Sequence, residues 1–572
     1  MSNEKKKIMP DLIRIKLNSK KIEREVVDSE HPLKFYAGRA LSSKIIADEV
    51  PPLSDPLGPD NKMIFACGFL SGTTAPNSGR ISIGAKSPLT KGIKESNVGG
   101  RTPALLVRNN IRALVLEEQS PEWVIIKVSD GNVEILDGKK YVGLNNYKLT
   151  KTILDEYGSK VGAFMIATGG ELQFANSSVA SIDMEGYPSR HAGRGGLGSV
   201  MGSKKVKAIV VISPSQSLMQ YANQEAFKPV ASTWFKALNI ANKETKHVFG
   251  TPGCLLEMNE MHGLPTQNYR RGQFKDAEKI GGEAVHELIV KNKGKYGLAC
   301  SPGCAIQCSN MILDSEGTHI TSSFEYETIG LLGSNLLISD LEKIAQMDKL
   351  CDDFGIDTIE TGSCLGVLMD AGKIEWGDAD RCIELIEGLR EKKSESLDLG
   401  LGVYELGMKL GHSRIPHVKH QAFPSYEPRS LKAPSITFVT GPMGADHTAG
   451  DVSGENPNKS EGKVAISKEK QIHTMIVDSF GICYFVGANS ETTAKLSKLV
   501  SARYGDTWDK NLDEWTDWAK SCIIMERDFN VASGLAATDT LPKFMLEEKL
   551  EEAPFHWDFN PDEIAHYWDD FN

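Results

Sequence analysis

The chain has 572 residues, of which 40% are hydrophobic and 25% charged, with a formal net charge of −11. Such a length exceeds what one core usefully serves and implies roughly two to four domains of ordinary globular composition. The acidic balance excludes general binding to nucleic acid or anionic membranes, and the clusters Lys5-Lys6-Lys7 and Lys204-Lys205-Val206-Lys207 read as solvated surface.

Residues 1–212 carry short β-like runs at 62–66, 80–83, 104–107, 123–128 and 207–211, separated by glycine turns. Ser129-Asp130-Gly131-Asn132 joins the run ending at Val128 to Val133-Glu134-Ile135 as a hairpin. From about residue 213 the periodicity becomes helical, as in 340–350. A Pro- and Ser-containing stretch at 423–434 reads as a linker, followed by a further helical region. The acidic, aromatic tail from residue 551, with Trp557, Phe559, Tyr567, Trp568 and Phe571, is expected to dock on the body. No segment approaches the ~20 apolar residues of a membrane span. Neither an apolar stretch behind the first lysines nor an early twin-arginine pair is present, so a cytoplasmic protein is expected.

A seven-residue pattern occurs in two related copies. Asp352-Asp353-Phe354-Gly355-Ile356-Asp357-Thr358 is echoed by Asp478-Ser479-Phe480-Gly481-Ile482-Cys483-Tyr484. An ionised Asp only accepts hydrogen bonds, so a placed pair can grip a ligand rich in N–H donors, such as a reduced pterin. The plain alternative is a glycine that closes a helix.

Ten cysteines in a chain this long do not suggest a disulfide framework. Cys67, Cys254, Cys351, Cys364, Cys382 and Cys522 are scattered, mostly among apolar neighbours, and read as core thiols. Cys300-Ser301-Pro302-Gly303-Cys304-Ala305-Ile306-Gln307-Cys308 sets three thiols in one segment, where Pro302 and Gly303 favour a loop turning into a helix. Three thiols from a loop and a distant fourth can hold an iron–sulfur cube, and Cys483 is the natural fourth. The competitors are a structural zinc, which favours tighter paired spacings, and a radical-SAM loop, which differs by one residue.

Gly193-Arg194-Gly195-Gly196-Leu197-Gly198 satisfies GxGxxG, yet no apolar strand precedes it, so a dinucleotide fold is not expected. Its glycines would let backbone approach a phosphate drawn by Arg190 and Arg194. A second loop, Ala75-Pro76-Asn77-Ser78-Gly79-Arg80, leads to Ser96-Asn97-Val98-Gly99-Gly100-Arg101. Each alone also reads as an ordinary tight turn.

In this order, with Ala85-Lys86-Ser87-Pro88-Leu89-Thr90, Met201-Gly202-Ser203-Lys204, Glu325-Tyr326-Glu327-Thr328, Tyr426-Glu427-Pro428-Arg429 and Gly444-Ala445-Asp446-His447-Thr448, the chain resembles the aldehyde:ferredoxin oxidoreductase family over nearly its whole length. The resemblance implies an α+β fold: an N-terminal β-rich, pterin-binding domain (1–212) over two mainly α-helical domains (213–417 and 418–572), with the cofactor at their junction. It implies tungsten, or molybdenum, held by the dithiolenes of two pyranopterins rather than by side chains. A [4Fe–4S] cluster would lie on Cys300, Cys304, Cys308 and Cys483.

Arg80, Asn97, Gly99, Arg190, His191, Ala192, Gly193, Arg194, Gly195, Gly196 and Gly198 would then bind pterin and phosphate. Asn97 and a backbone carbonyl near His191–Ala192 would lie by a bridging magnesium. Asp352, Gly355, Ile356, Asp357, Asp478, Gly481 and Ile482 would hold the pterin amines. The family's usual Cys-x2-Cys-x3-Cys is one residue shorter between its first two thiols, a difference that loop slack must absorb. No Glu/His pair for a metal between subunits is evident; a homo-oligomer, or a complex with an iron–sulfur subunit, is compatible with the chain.

The implied reaction oxidises a small aldehyde to a carboxylic acid, with electrons passing to ferredoxin or a similar small iron–sulfur carrier. Glu327 is the first choice for its base and Glu325 the second, while His447 would hydrogen-bond a metal oxo group or polarise the carbonyl. Outside the family context such glutamates are usually solvated and a lone histidine structural. The rivals are a subunit reducing an aromatic acyl thioester with the same cofactor, and a pterin-free iron–sulfur electron-transfer protein.

Overall fold

The structure is a computed structural model that describes residues 9–450, 456–536 and 538–571; Lys5-Lys6-Lys7 lies outside these. Two six-stranded sheets build the N-terminal part. The first contains β1 (Asp11–Lys16), β2 (Lys21–Glu25), β3 (Met63–Cys67), β4 (Ile81–Lys86), β5 (Ile93–Val98) and β6 (Ile111–Glu117), in the order β2-β1-β6-β3-β4-β5. The second contains β7 (Val124–Ser129), β8 (Asn132–Asp137), β9 (Gly162–Met165), β10 (Val179–Ser181), β11 (Arg190–Ala192) and β12 (Val206–Val211), in the order β11-β10-β9-β12-β7-β8.

Side-chain alternation explains how the sheets pack. Met63, Phe65 and Cys67 of β3 face the second sheet, where Phe164 meets Phe65 at 5.2 Å between ring centroids. Ile64 and Ala66 face the opposite way, onto helix α1 (Gly38–Glu49) through Leu41, Ile45 and Ile46. In the second sheet Ala163 and Met165 turn outward onto Leu149 and Ile153 of helix α3 (Asn146–Tyr157). A chain this size thereby covers both outer faces with helices.

The β7–β8 hairpin forms as expected, with Ser129 opposite Asn132 and positive φ at Asp130 (45°) and Gly131 (78°), the geometry that suits a twisted two-residue turn. Runs 62–66, 80–83, 123–128 and 207–211 fall on β3, β4, β7 and β12. The run 104–107 does not form a strand. It is helix α2 (Thr102–Arg108), with Pro103 in its first turn, and a short apolar run is ambiguous by periodicity alone. The basic cluster at 204–207 is not a solvated face either. Lys204 and Lys207 are fully buried. The Lys204 ammonium donates to Asn61 O at 2.5 Å and Glu118 O at 3.0 Å, and burial pulls its pKa down to about 7.

Beyond residue 213 the chain is mainly helical, and one continuous apolar cluster runs through both helical segments. The expected linker at 423–434 is not a linker. Phe423, Ser425, Glu427, Arg429 and Ser430 have no exposed surface, and residues 432–434 already belong to the helix Lys432–Thr440. Its prolines and serines mimic linker composition, while its partners come from distant parts of the chain. The aromatic tail docks: Phe559, Tyr567, Trp568 and Phe571 are buried, and Gln471 donates to the Tyr567 hydroxyl at 2.8 Å. No helix among the described residues is long and apolar enough to cross a membrane.

Candidate active site

The two heptads are the ends of two helices, Leu341–Phe354 and Lys463–Phe480. Each closes on a left-handed glycine, Gly355 (φ 68°) and Gly481 (φ 73°). Ile356 N–H bonds Cys351 O at 3.0 Å and Gly355 N–H bonds Asp352 O; Ile482 and Gly481 repeat the pattern on Val477 and Asp478. This crossed pair of bonds is the Schellman ending, which also explains the isoleucine after the glycine as its apolar closing contact. The motif therefore closes a helix and, by doing so, fixes the direction of the aspartate two residues before each end.

Both aspartates reach a cavity of about 270 Å³ at the junction of the N-terminal sheets with the helical part. Arg80, Asn97, Gly99, Arg190, His191, Gly193, Arg194, Glu325, Glu327, Asp352, Ile356, Asp357, His447 and Asp478, all singled out in the sequence, line it together. Ala192, Gly195, Gly196, Gly198, Gly355, Gly481 and Ile482 do not reach its wall. Ala192 pairs with Val179 inside the sheet, and a side chain on Gly195, Gly196 or Gly198 would collide with the Lys94 stem, Ala175 O or Ser178 O respectively. Those three glycines let the loop fold close behind the wall. The strand before the loop, β11, is three residues long and antiparallel to β10, so the GxGxxG match is not a dinucleotide turn.

Charge in the wall is mixed. Asp352 accepts from His191 at 3.1 Å, and burial, only partly offset by His191, raises its pKa. Burial and then Glu95 push Asp478 well above the carboxylate range, despite Arg39 at 3.5 Å. Asp357 caps the helix Thr358–Asp370 by accepting from Ile359 and Glu360 N–H, with the Arg194 Nε at 3.6 Å. Arg80 donates to the Asn97 side-chain oxygen, and Arg190 to Ser309 and, at 3.1 Å, to Glu325. Arg194 donates to Ala445 O and Ala422 O. The buried atoms Asn97 Nδ2, Arg190 Nε, Arg194 Nε, Glu327 Oε1 and His447 Nδ1 have no hydrogen-bond partner. Buried polar atoms are normally satisfied, so a row of orphans on one wall fits a polar ligand with both acceptors and N–H donors. A pterin with its phosphate has both.

The cysteine segment connects two antiparallel strands, Lys295–Leu298 and Ser309–Leu313; it contains no helix, contrary to expectation. Asn77, from the β3–β4 loop, ties it to Cys483. Its side-chain oxygen accepts from Ala305 N–H at 3.0 Å, its Nδ2 lies 3.7 Å from Cys304 Sγ, and its carbonyl accepts from Cys483 N–H at 3.0 Å. Gly79 packs on Ser301 so closely that a Cβ would not fit. The Cys304 thiol, with Arg190 and Arg80 nearby, holds Cys300 well below the usual thiol range, while burial raises Cys308 and Cys483. Among the described residues no three His, Cys, Asp or Glu side chains converge on a single-ion site. Through Asn77 a loop with three thiols meets a fourth, a donor set of the chemistry that an iron–sulfur cube takes.

Glu327 opens the helix Tyr326–Leu332 and is held by the supposed linker: Ser425 N–H donates to its Oε2 at 2.7 Å. Tyr269 and Tyr326 hydroxyls donate to carbonyls of residues 423–425 and pin that segment. Burial raises the Glu327 pKa, and its Oε1 faces His447 Nε2 at 3.7 Å.

The N-terminal-domain model of aldehyde ferredoxin oxidoreductase matches residues 12–213, and the model of its domains 2 and 3 matches residues 232–568. The chain belongs to the aldehyde ferredoxin oxidoreductase family. The tungsten-containing aldehyde ferredoxin oxidoreductase of Pyrococcus furiosus is 31% identical over 95% of this chain and 92% of that protein. Its counterpart in Thermococcus kodakarensis is 30% identical over the same shares. An aliphatic sulfonate oxidoreductase, WOR-like subunit, of P. furiosus is 25% identical over 77% of this chain and 74% of that protein. Among solved structures, the active site complex BamBC of benzoyl coenzyme A reductase with 1,5-dienoyl-CoA shares the fold, with a TM-score of 0.81, 18% identity and coverage of 98% and 93%.

Within this oxidoreductase family fold, sequence reasoning passed over Glu95, Asp348 and Asp446, which also line the cavity. Asp348 stands one helical turn before Asp352, a spacing that could have revealed it. Asp446 adjoins His447. Glu95 gave no signal, since its strand is buried on both faces.

Proposed function

We propose that this chain is a tungsten (or molybdenum) bis-pterin enzyme that oxidises a small aldehyde to its carboxylic acid. A [4Fe–4S] cluster, which Cys300, Cys304, Cys308 and Cys483 would hold, would supply the electron exit to ferredoxin or a similar carrier. The observation that carries the reading is Glu327: a half-buried carboxylate with a raised pKa beside His447, in the cavity that also holds arginine and asparagine nitrogens without hydrogen-bond partners.

In this reading Arg80, Arg190 and Arg194 hold phosphate oxygens, while Asp352 and Asp478 accept pterin N–H groups, with Asp357 beside them. Asn97 and the backbone near His191–Ala192 would hold a magnesium ion, and Cys300, Cys304, Cys308 and Cys483 would hold the cluster. When bound, these groups supply a two-electron acceptor for RCHO + H2O → RCO2H + 2e⁻ + 2H⁺ and a one-electron exit. His447 donates to the aldehyde oxygen and orients the carbonyl. Glu327 takes a proton as the acid forms, its Oε2 fixed by Ser425 N–H and its Oε1 facing His447. Glu325, already paired with Arg190, is the second choice.

Anaerobically purified protein is expected to reduce viologen dye with short or aromatic aldehydes. Reduction of an aromatic acyl thioester, or oxidation of an aliphatic sulfonate, with no aldehyde turnover would contradict the substrate assignment. Iron without pterin would contradict the cofactor assignment.

A further inference from the structure

We infer that the surface over the cysteine loop docks the electron carrier, and that this carrier is a small acidic iron–sulfur protein; the inference rests on the function proposed above. Cys308 is half-buried, whereas Cys300, Cys304 and Cys483 are buried. The outer edge of the loop is therefore where the thiols come nearest to solvent. Three segments surround that edge and share two properties, positive charge and exposed apolar side chains.

The first is the helix Gln224–Asn242, seated on the loop by Asn239, whose Nδ2 donates to Ala305 O at 3.1 Å. Lys236, Ile240 and Lys243 follow at i, i+4 and i+7 and are all exposed, Ile240 by 76%. The second is the turn Lys246–Phe249 with Gly250, which packs against the Cys308 carbonyl. Its Lys246 ammonium lies 5.6 Å from the ring of Phe485, two residues past Cys483 and exposed. The third is the strand Lys295–Leu298, which leads into the loop. His247 packs on its Gly297 and lies 6.3 Å from the exposed Tyr296 ring, next to exposed Lys295.

Within residues 236–247, 293–298 and 301–308 the single acid is Glu244, against five lysines: Lys236, Lys243, Lys246, Lys293 and Lys295. On a chain of net charge −11 this concentration is a local reversal. Basic rims steer acidic partners and set salt dependence, while exposed aromatics supply the contact that holds them. A transient redox interface is small, so a patch of this extent suffices. Each docking event passes one electron from the enzyme's cluster to the oxidised carrier, and the aldehyde oxidation supplies two.

The test measures binding of a small acidic two-cluster ferredoxin to the purified holoenzyme, together with ferredoxin-linked and viologen-linked rates. Lys243→Glu/Lys246→Glu and, separately, Tyr296→Ala are compared with Lys20→Glu on the β1–β2 hairpin. In the patch variants the Kd and the KM for ferredoxin should rise about tenfold, with wild-type affinity falling as salt rises and viologen-linked turnover unchanged. Wild-type ferredoxin affinity in both patch variants, or equal weakening by Lys20→Glu, would overturn the assignment. Because binding is read directly, loss of aldehyde turnover in the wild type would count against the proposed reaction and not against this surface.

Discussion

Glu327, half-buried, and Asp446, buried, lie on the same cavity, yet their surroundings drive them in opposite directions. At Glu327 desolvation outweighs the opposing pull of His447 at 3.7 Å, and its pKa rises. Asp446 is equally desolvated, but Lys94 at 2.5 Å and Arg194 hold it well below the carboxylate range. Two carboxylates thereby acquire two roles: one can exchange a proton, the other is a permanent charge. A base must be ionised to act, so kcat/KM for aldehyde should fall on acidification with a limb above the ordinary glutamate value of about 4.3. Glu327→Gln should remove that limb and lower the rate by at least ~10²-fold with metal content unchanged. Asp446→Asn would leave the Lys94 ammonium buried without its anion, at a cost of about 3–5 kcal/mol. A depressed carboxylate pKa contributes stability above the unfolded value and loses it as pH falls through the folded one. The drop in melting temperature should therefore be full at pH 7 and shrink below the ordinary aspartate range. An Asp446→Asn protein as stable as wild type at pH 7 would contradict this.

The two helix endings show how one element can be structural and functional at once. Gly481 is left-handed and tightly enclosed: a Cβ would collide with Ser71 Oγ and lie 3.0 Å from Gly68 Cα. Gly355 has the same φ, but its nearest neighbour, Asn146 Nδ2, is 3.3 Å away. Gly355→Ala should cost about 1–2 kcal/mol from backbone strain alone, and Gly481→Ala distinctly more. Thermal melts with iron retention would check the ranking, since Gly481 precedes Cys483. The heptads were legible in the sequence because the left-handed glycine and its isoleucine are local requirements. The wall glycine Gly193 and the packing glycines Gly195, Gly196 and Gly198 were not separable, because the latter meet Lys94, Ala175 and Ser178, which only tertiary folding brings there. The same cause hid the buried segment 423–434, whose composition is that of a loop but whose backbone positions Glu327.

At the scale of the molecule, the change from β-rich to helical near residue 213 was readable from periodicity, whereas the meeting of both parts at a shared site came only from the family resemblance. The cavity walls come from Arg80 to Tyr484, so no local segment could have shown their closure. The two sheets and the segments flanking their strands carry Arg80, Asn97, Arg190 and Arg194, and the helix ends deliver Asp352 and Asp478 to the same cavity. Orphaned donors and raised carboxylates are costly unless a ligand meets them, which ties the stability of this junction to its cofactor. Metal, pterin and iron analysis of the anaerobically purified chain is the most direct trial of that claim. The account predicts tungsten or molybdenum with about two pterins per metal and about four irons; a folded protein with iron but no pterin, or with neither, would contradict it.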